Sequence, residues 1–112
     1  MRVLIDNCVP RKFARLITGH EVFLARQMGW HELSNGDLIS AAEQGGFDVL
    51  VTTDKNLQYQ QNLTGRKISI VVLAPRLVFF ESLAPLIGPL TLTLAGLAEG
   101  SFVVIKPENE DA

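Results

Sequence analysis

At 112 residues, 47% of them hydrophobic and 20% charged, the chain has the size and apolar content of one folded domain, which excludes a disordered chain and leaves no room for a second core. Its net charge of −2, from 10 Lys and Arg against 12 Asp and Glu, excludes a broadly basic face, so any grip on nucleic acid needs a local cationic cluster or bound cations. The single cysteine, Cys8, excludes an internal disulfide; the N-terminus lacks the pattern of an export signal, so a cytoplasmic location is expected.

In chain order, Met1–Ile5 (MRVLI) is a short apolar run ending at Asp6-Asn7. Pro10 then opens a helix over Arg11–Ile17, with Phe13, Leu16 and Ile17 on one face. Gly19-His20 ends it, Glu21–Leu24 reads as a second strand, and Ala25–Trp30 as a short helix or turn. Asn35 is placed to cap a helix over Gly36–Gln44, whose Leu38, Ile39, Ala41 and Ala42 form an apolar stripe and whose stop is Gly45-Gly46. Phe47–Thr52 (FDVLVT) has the near-continuous apolar character of a strand covered on both faces, followed by the polar turn Thr53–Asn56. Leu57–Leu63 reads as helical, and Ile68–Leu73 (ISIVVL) is the strongest strand signal. Phe79–Leu97 should hold one or two helices interrupted by Pro85, Gly88 and Pro89, and Ser101–Ile105 a closing strand. The apolar stretches around Ile68–Ala74 and Leu83–Leu97 are broken by Pro or Gly and fall short of the roughly 20 residues a bilayer requires, so no membrane span is expected.

Strands alternating with helices predict an α/β domain over residues 1–107, a mostly parallel central sheet of about five strands flanked by helices in three layers, with residues 108–112 a frayed acidic tail. In such sheets ligands sit beyond the carboxyl ends of the strands, which is where Asp6 and Asp54 should both lie. Paired carboxylates there suit Mg²⁺ or Mn²⁺, which take one or two protein carboxylates and keep room for a phosphate. Taken one at a time, each Asp also suits a plain capping role at a strand-to-helix turn.

These residues carry a resemblance. Leu4-Ile5-Asp6-Asn7-Cys8-Val9-Pro10 resembles the LLDENLP-type opening of the DUF5615 branch of the PIN-like nucleases. Gly19-His20-Glu21-Val22 resembles their G-H-(D/E)-V step, and Thr52-Thr53-Asp54-Lys55-Asn56-Leu57 their T-x-D-x-D-F turn. With Asn35 to Ala42, the likeness covers about the first two-thirds of the chain in the right order. It implies a PIN-like fold, a metal-dependent endoribonuclease, and often a toxin role beside a small antitoxin protein. On that basis Asp6 and Asp54 hold the divalent ion, Asn35 and Asn56 complete the catalytic set, and Asn7, Arg11 and Lys12 face the RNA substrate. Two positions depart from the pattern: Asn35 and Asn56 stand where family members commonly carry Asp. An amide oxygen can ligate a cation but brings no charge, so metal affinity should fall. Asp37 and Glu43 are candidate compensators, Glu43 facing a side of the helix similar to that of Asn35.

His20 and His31 lack the spacing of a zinc site, and Cys8, with no catalytic partner in view, reads as a buried small residue. The aromatic residues are scattered, without a basic stripe beside them, and Tyr59-Gln60-Gln61-Asn62 reads as a polar helical surface near Asp54. A non-catalytic PIN-like module that binds RNA or a protein is one alternative. A receiver-like phospho-acceptor is another, since Asp54 follows a central strand and Lys106 the last one, although a receiver's hydroxyl after strand four is missing in Leu73-Ala74-Pro75. The apolar segments Leu77–Phe80 and Leu83–Leu97 suit either core or a homodimer interface.

Overall fold

A computed structural model describes residues 1–57 and 63–108. Five strands, β1 (Arg2–Ile5), β2 (Glu21–Leu24), β3 (Val49–Thr52), β4 (Ser69–Leu73) and β5 (Phe102–Ile105), form one sheet in the order β2-β1-β3-β4-β5. Every pairing is parallel. The α/β expectation is therefore met, with a sheet that is wholly rather than mostly parallel.

Side chains alternate between the two faces of a strand, and each face finds its own cover. Val3, Ile5, Val49, Val51, Val71 and Leu73 pack against α1 (Arg11–Ala14), α3 (Phe80–Leu83), a 3-10 turn (Ala84–Leu86) and α4 (Ile87–Ala95). Leu4, Leu50, Ile70 and Val72 point the other way, onto Leu38, Ile39 and Ala42 of α2 (Asn35–Gln44) and onto Phe47. The result is three layers. Burial of each such Val, Leu or Ile contributes about 1.5–3 kcal/mol, which is why β3 and β4, buried along their whole length, carry no charge. No described helix is long and apolar enough to cross a membrane.

Several boundaries differ from the expectation. The first helix is a single turn, because Leu16 and Ile17 already bond back three residues, to Phe13 and Ala14, as the chain swings toward the left-handed Gly19. Ile17 is buried, but Leu16 is 39% exposed and does not join the core face. The segment after β2 is a run of hydrogen-bonded turns closed by Trp30 N–H onto the Ala25 carbonyl. Pro85 lies in the 3-10 turn and Pro89 is the third residue of α4, in the first turn, where an N–H has no intrahelical acceptor to lose. The expected helix over Leu57–Leu63 and the polar surface Tyr59–Asn62 fall on residues 58–62, outside the described residues, as does the tail from 109 onward.

The amino ends of the strands are tied together by polar contacts. Arg2 donates through Nη1 to the Gly45 carbonyl at 2.6 Å and stacks over Phe47, 4.6 Å from the ring centroid. Ser69, buried, donates to the Ala98 carbonyl and accepts from Ser101 N–H. At Gly100 the backbone is left-handed (φ 71°), and a Cβ would lie 2.8 Å from the Arg66 carbonyl oxygen, so only glycine fits.

Candidate functional site

The strand order puts β1 and β3 side by side, with β2 on one flank and β4 on the other. After β1 the chain turns to one face of the sheet, into α1, while α2, which leads into β3, covers the other. A crevice opens where a sheet's connections part in this way, at the carboxyl ends of the strands. Asp6 is the residue after β1 and Asp54 lies two after β3, so both belong to this crevice.

They meet through Thr52. Its hydroxyl donates to Asp6 Oδ2 at 2.7 Å and accepts from the Asp54 N–H at 3.2 Å. With its proton committed to Asp6, the hydroxyl accepts from the Cys8 thiol at 3.4 Å, and the Cys8 sulfur accepts in turn from Thr53 N–H, also at 3.4 Å. Thr52 is fully buried at the last position of a strand that is otherwise apolar. Neither this threonine nor the thiol was selected by sequence reasoning: Thr52 reads as the polar end of a core strand, and Cys8 as buried filler. Cys8 is in fact exposed. The signal that could have found Thr52 is a hydroxyl terminating a run covered on both faces, where a buried polar group requires a partner.

The remaining carboxylate oxygens are also engaged. Asp6 Oδ1 accepts from Asn7 N–H at 2.8 Å, Asp54 Oδ1 from Asn56 N–H at 3.0 Å, and Asp54 Oδ2 from the Asn35 amide Nδ2 at 2.8 Å. Each oxygen thus takes one of these hydrogen bonds and keeps a second lone-pair direction. Among the described residues the one salt bridge is Arg66–Glu43, so neither Asp6 nor Asp54 is neutralised by Lys or Arg.

Of the other expected residues, Asn35 is brought to the site, though not as a cap. Ser34 caps α2, its hydroxyl accepting from Asp37 N–H, and Asn35 is the first helical residue, its Nδ2 reaching across to Asp54. Asn56 contributes its backbone N–H. Asn7 spends its side chain on the His31 carbonyl, at 2.7 Å, tying the β1 loop to the loop before α2. Arg11 shares a hollow with Asp6 and Asn7, whereas the Lys12 ammonium lies over the Phe80 ring, 5.8 Å from its centroid.

Glu43 does not compensate for the missing charge. It binds Arg66 at 2.8 Å and accepts from Lys67 N–H at 2.8 Å. Eight residues beyond Asn35 it shares a similar face of α2 but lies about 12 Å farther along the axis. Burial pushes its carboxyl up, but the N–H groups of Lys67 and Ile68 and the Arg66 guanidinium outweigh this and hold it below the usual glutamate range. Asp37 is an exposed residue of the first turn of α2.

No group of three or more His, Cys, Asp or Glu side chains suited to a metal ion occurs among the described residues. The Thr52 hydroxyl is saturated by Asp6, Asp54 N–H and Cys8, and Asn35 turns its Nδ2 to Asp54, so what the crevice offers a cation is its two carboxylates. Such hard oxygen donors fit a cation that keeps most of its water, as Mg²⁺ does, and do not fit zinc. Comparison of the chain with protein-family models, curated proteins and solved structures found no match.

Proposed function

We propose that this chain is a divalent-metal-dependent endoribonuclease of PIN-like type, acting on RNA in the cytoplasm, the toxin half of a pair with a small antitoxin protein. The observation that supports this most is the meeting of the Asp6 carboxylate and the Asp54 N–H on the Thr52 hydroxyl at the carboxyl edge of a parallel sheet, with neither aspartate in a salt bridge among the described residues.

Asp6 and Asp54 would hold Mg²⁺ or Mn²⁺, which, when bound, supplies positive charge to the reacting phosphate and lowers the pKa of water. The protein's own part is positioning. Asn35 fixes the rotamer of Asp54 through Oδ2, Asn56 N–H does so through Oδ1, and Asn7 N–H and Thr52 clamp Asp6. Arg11, beside Asp6, is placed to neutralise a substrate phosphate. The test is Mn²⁺-dependent cleavage of single-stranded RNA by wild type and Asp6→Asn. Cleavage should fall to background in the variant; retention of the wild-type rate rejects the mechanism.

The amides at positions 35 and 56 favour a second reading, a catalytically degenerate PIN-like module that binds RNA or protein. Titration calorimetry separates the two, because a dead site gives no heat with millimolar Mn²⁺. The strand order, with Asp54 after β3 and Lys106 after β5, also suits a receiver, but Ala74 stands after β4 where a hydroxyl is required. Labelling of Asp54 by acetyl phosphate would select that alternative.

A further inference from the structure

We infer that the groove between α1 and edge strand β2 carries the backbone of single-stranded RNA toward the acidic crevice, with Arg11, Arg15 and Arg26 as its phosphate contacts. The inference rests on the nuclease reading of the crevice and names the path by which substrate reaches it.

Two hollows make up the groove. One, of about 230 Å³, is lined by Asp6, Arg11, Leu24 and Arg26 among others. The second, of about 550 Å³, is lined by Arg11, Arg15, His20 and Leu24 among others. Arg11 and Leu24 belong to both, so the hollows adjoin at these two residues, and Asp6 lines the smaller one. The cause is local: α1 is one turn long, and β2, half-buried at the edge of the sheet, is left partly uncovered beside it.

Charge singles this groove out. A chain with a net charge of −2 places 3 of its 10 Lys and Arg residues here, and among the described residues the only acidic side chain in the lining is Asp6 itself. All three arginines are exposed, and among the described residues none forms a salt bridge. The guanidinium fork matches a phosphate in two-point geometry, so an uncommitted row of three is a backbone track. Among the described residues no Phe, Tyr or Trp lines either hollow, which favours contact with phosphates, tolerant of sequence, over base stacking. His20, in the same wall, has a buried Nδ1 for which the described residues provide no hydrogen-bond partner. Edge strand β2 could instead pair with a strand of an acidic protein. RNA is favoured because Asp6, one of the carboxylates that would act on a phosphodiester, lines the smaller hollow.

The experiment measures binding apart from cleavage. Fluorescence anisotropy with a fluorescein-labelled single-stranded oligoribonucleotide is followed in EDTA as KCl is raised from 50 to 200 mM. Three phosphate contacts on a single strand give a log–log slope of about −2.1, a loss of about 18-fold over that range. The exposed pair Arg15→Gln/Arg26→Gln, checked for folding by circular dichroism, leaves one contact, a slope of about −0.7 and a loss of about 2.6-fold. Lys67→Gln, at the opposite end of the sheet, should keep the wild-type slope. An unchanged slope in the double variant overturns the inference. So does failure of RNA to bind while a polyglutamate peptide binds wild type and not the double variant, which would assign the groove to a protein. RNA binding through the groove without Mn²⁺-dependent cleavage would defeat the nuclease reading alone, and cleavage with an unaltered slope would defeat the groove alone.

Discussion

Replacing Thr52 with Val tests the hydroxyl that joins the two carboxylate loops. The substitution keeps shape and volume while removing a donor to Asp6 Oδ2 at 2.7 Å and an acceptor for Asp54 N–H at 3.2 Å. A hydrogen bond to a charged group contributes about 1.5–3 kcal/mol and a neutral one about 1 kcal/mol. Water can reach the half-buried Asp6, and the added methyl gains about 0.8 kcal/mol by burial at a fully buried position, so the net loss should be about 2 kcal/mol. For a chain of 112 residues this corresponds to a fall in Tm of about 8 °C. Thr52→Ser, which retains the hydroxyl and loses a methyl, should melt higher than Thr52→Val and keep Mn²⁺ binding. Thermal denaturation followed by circular dichroism measures both. If Thr52→Val melts within about 2 °C of wild type, and above Thr52→Ser, the hydroxyl is not what holds these loops together.

Asn35→Asp sets a carboxylate against Asp54 Oδ2 in place of a donor, so in EDTA it should lower Tm, while Mn²⁺ at about 100 times its Kd should restore about 2.7 kcal/mol; an equal Tm with and without Mn²⁺ contradicts the site. Gly100→Ala, forced to φ 71° with Cβ 2.8 Å from the Arg66 carbonyl, should cost about 1–2 kcal/mol or more, read as a lower urea midpoint at unchanged m. The Glu43 carboxyl is lowered in the folded state from its usual 4.5, so its contribution is present above that pH and is lost as pH falls through the lower folded value. Wild type should therefore melt above Glu43→Gln at pH 7, and the gap should narrow as the pH falls below 4.5.

How much was legible in the sequence follows from what each residue answers to. Strands β3 and β4 were plain because a strand covered on both faces must be almost continuously apolar. The meeting of Asp6 and Asp54 followed from the same inference, since parallel strands deliver their carboxyl ends to one edge. Leu16 was misassigned because helical spacing reveals a face but not where the helix stops, and this one stops at Ala14. Ser34 and Asn35 are both good caps, and only the reach of Asn35 to Asp54 decides between them. Glu43 had the right face and the wrong distance; rotation about a helix is visible in the sequence, whereas the position of Arg66 opposite it is a tertiary fact.

The two ends of the sheet divide the work. At the amino end, Arg2 on Gly45 and Phe47, Glu43 on Arg66, Ser69 on Ala98, and Gly100 against Arg66 join segments far apart in sequence, so substitutions there act on the folding equilibrium. At the carboxyl end, Asn7, Asn35 and Asn56 hold carboxylates that form no salt bridge among the described residues. Carboxylates left without an ion pair, beside three arginines that form no salt bridge among the described residues, are what the proposed metal site requires. Mn²⁺ should therefore raise the Tm of wild type and leave that of Asp6→Asn/Asp54→Asn unchanged, a comparison that needs no substrate; an equal metal response in both would mean that the carboxylates serve only to cap their loops.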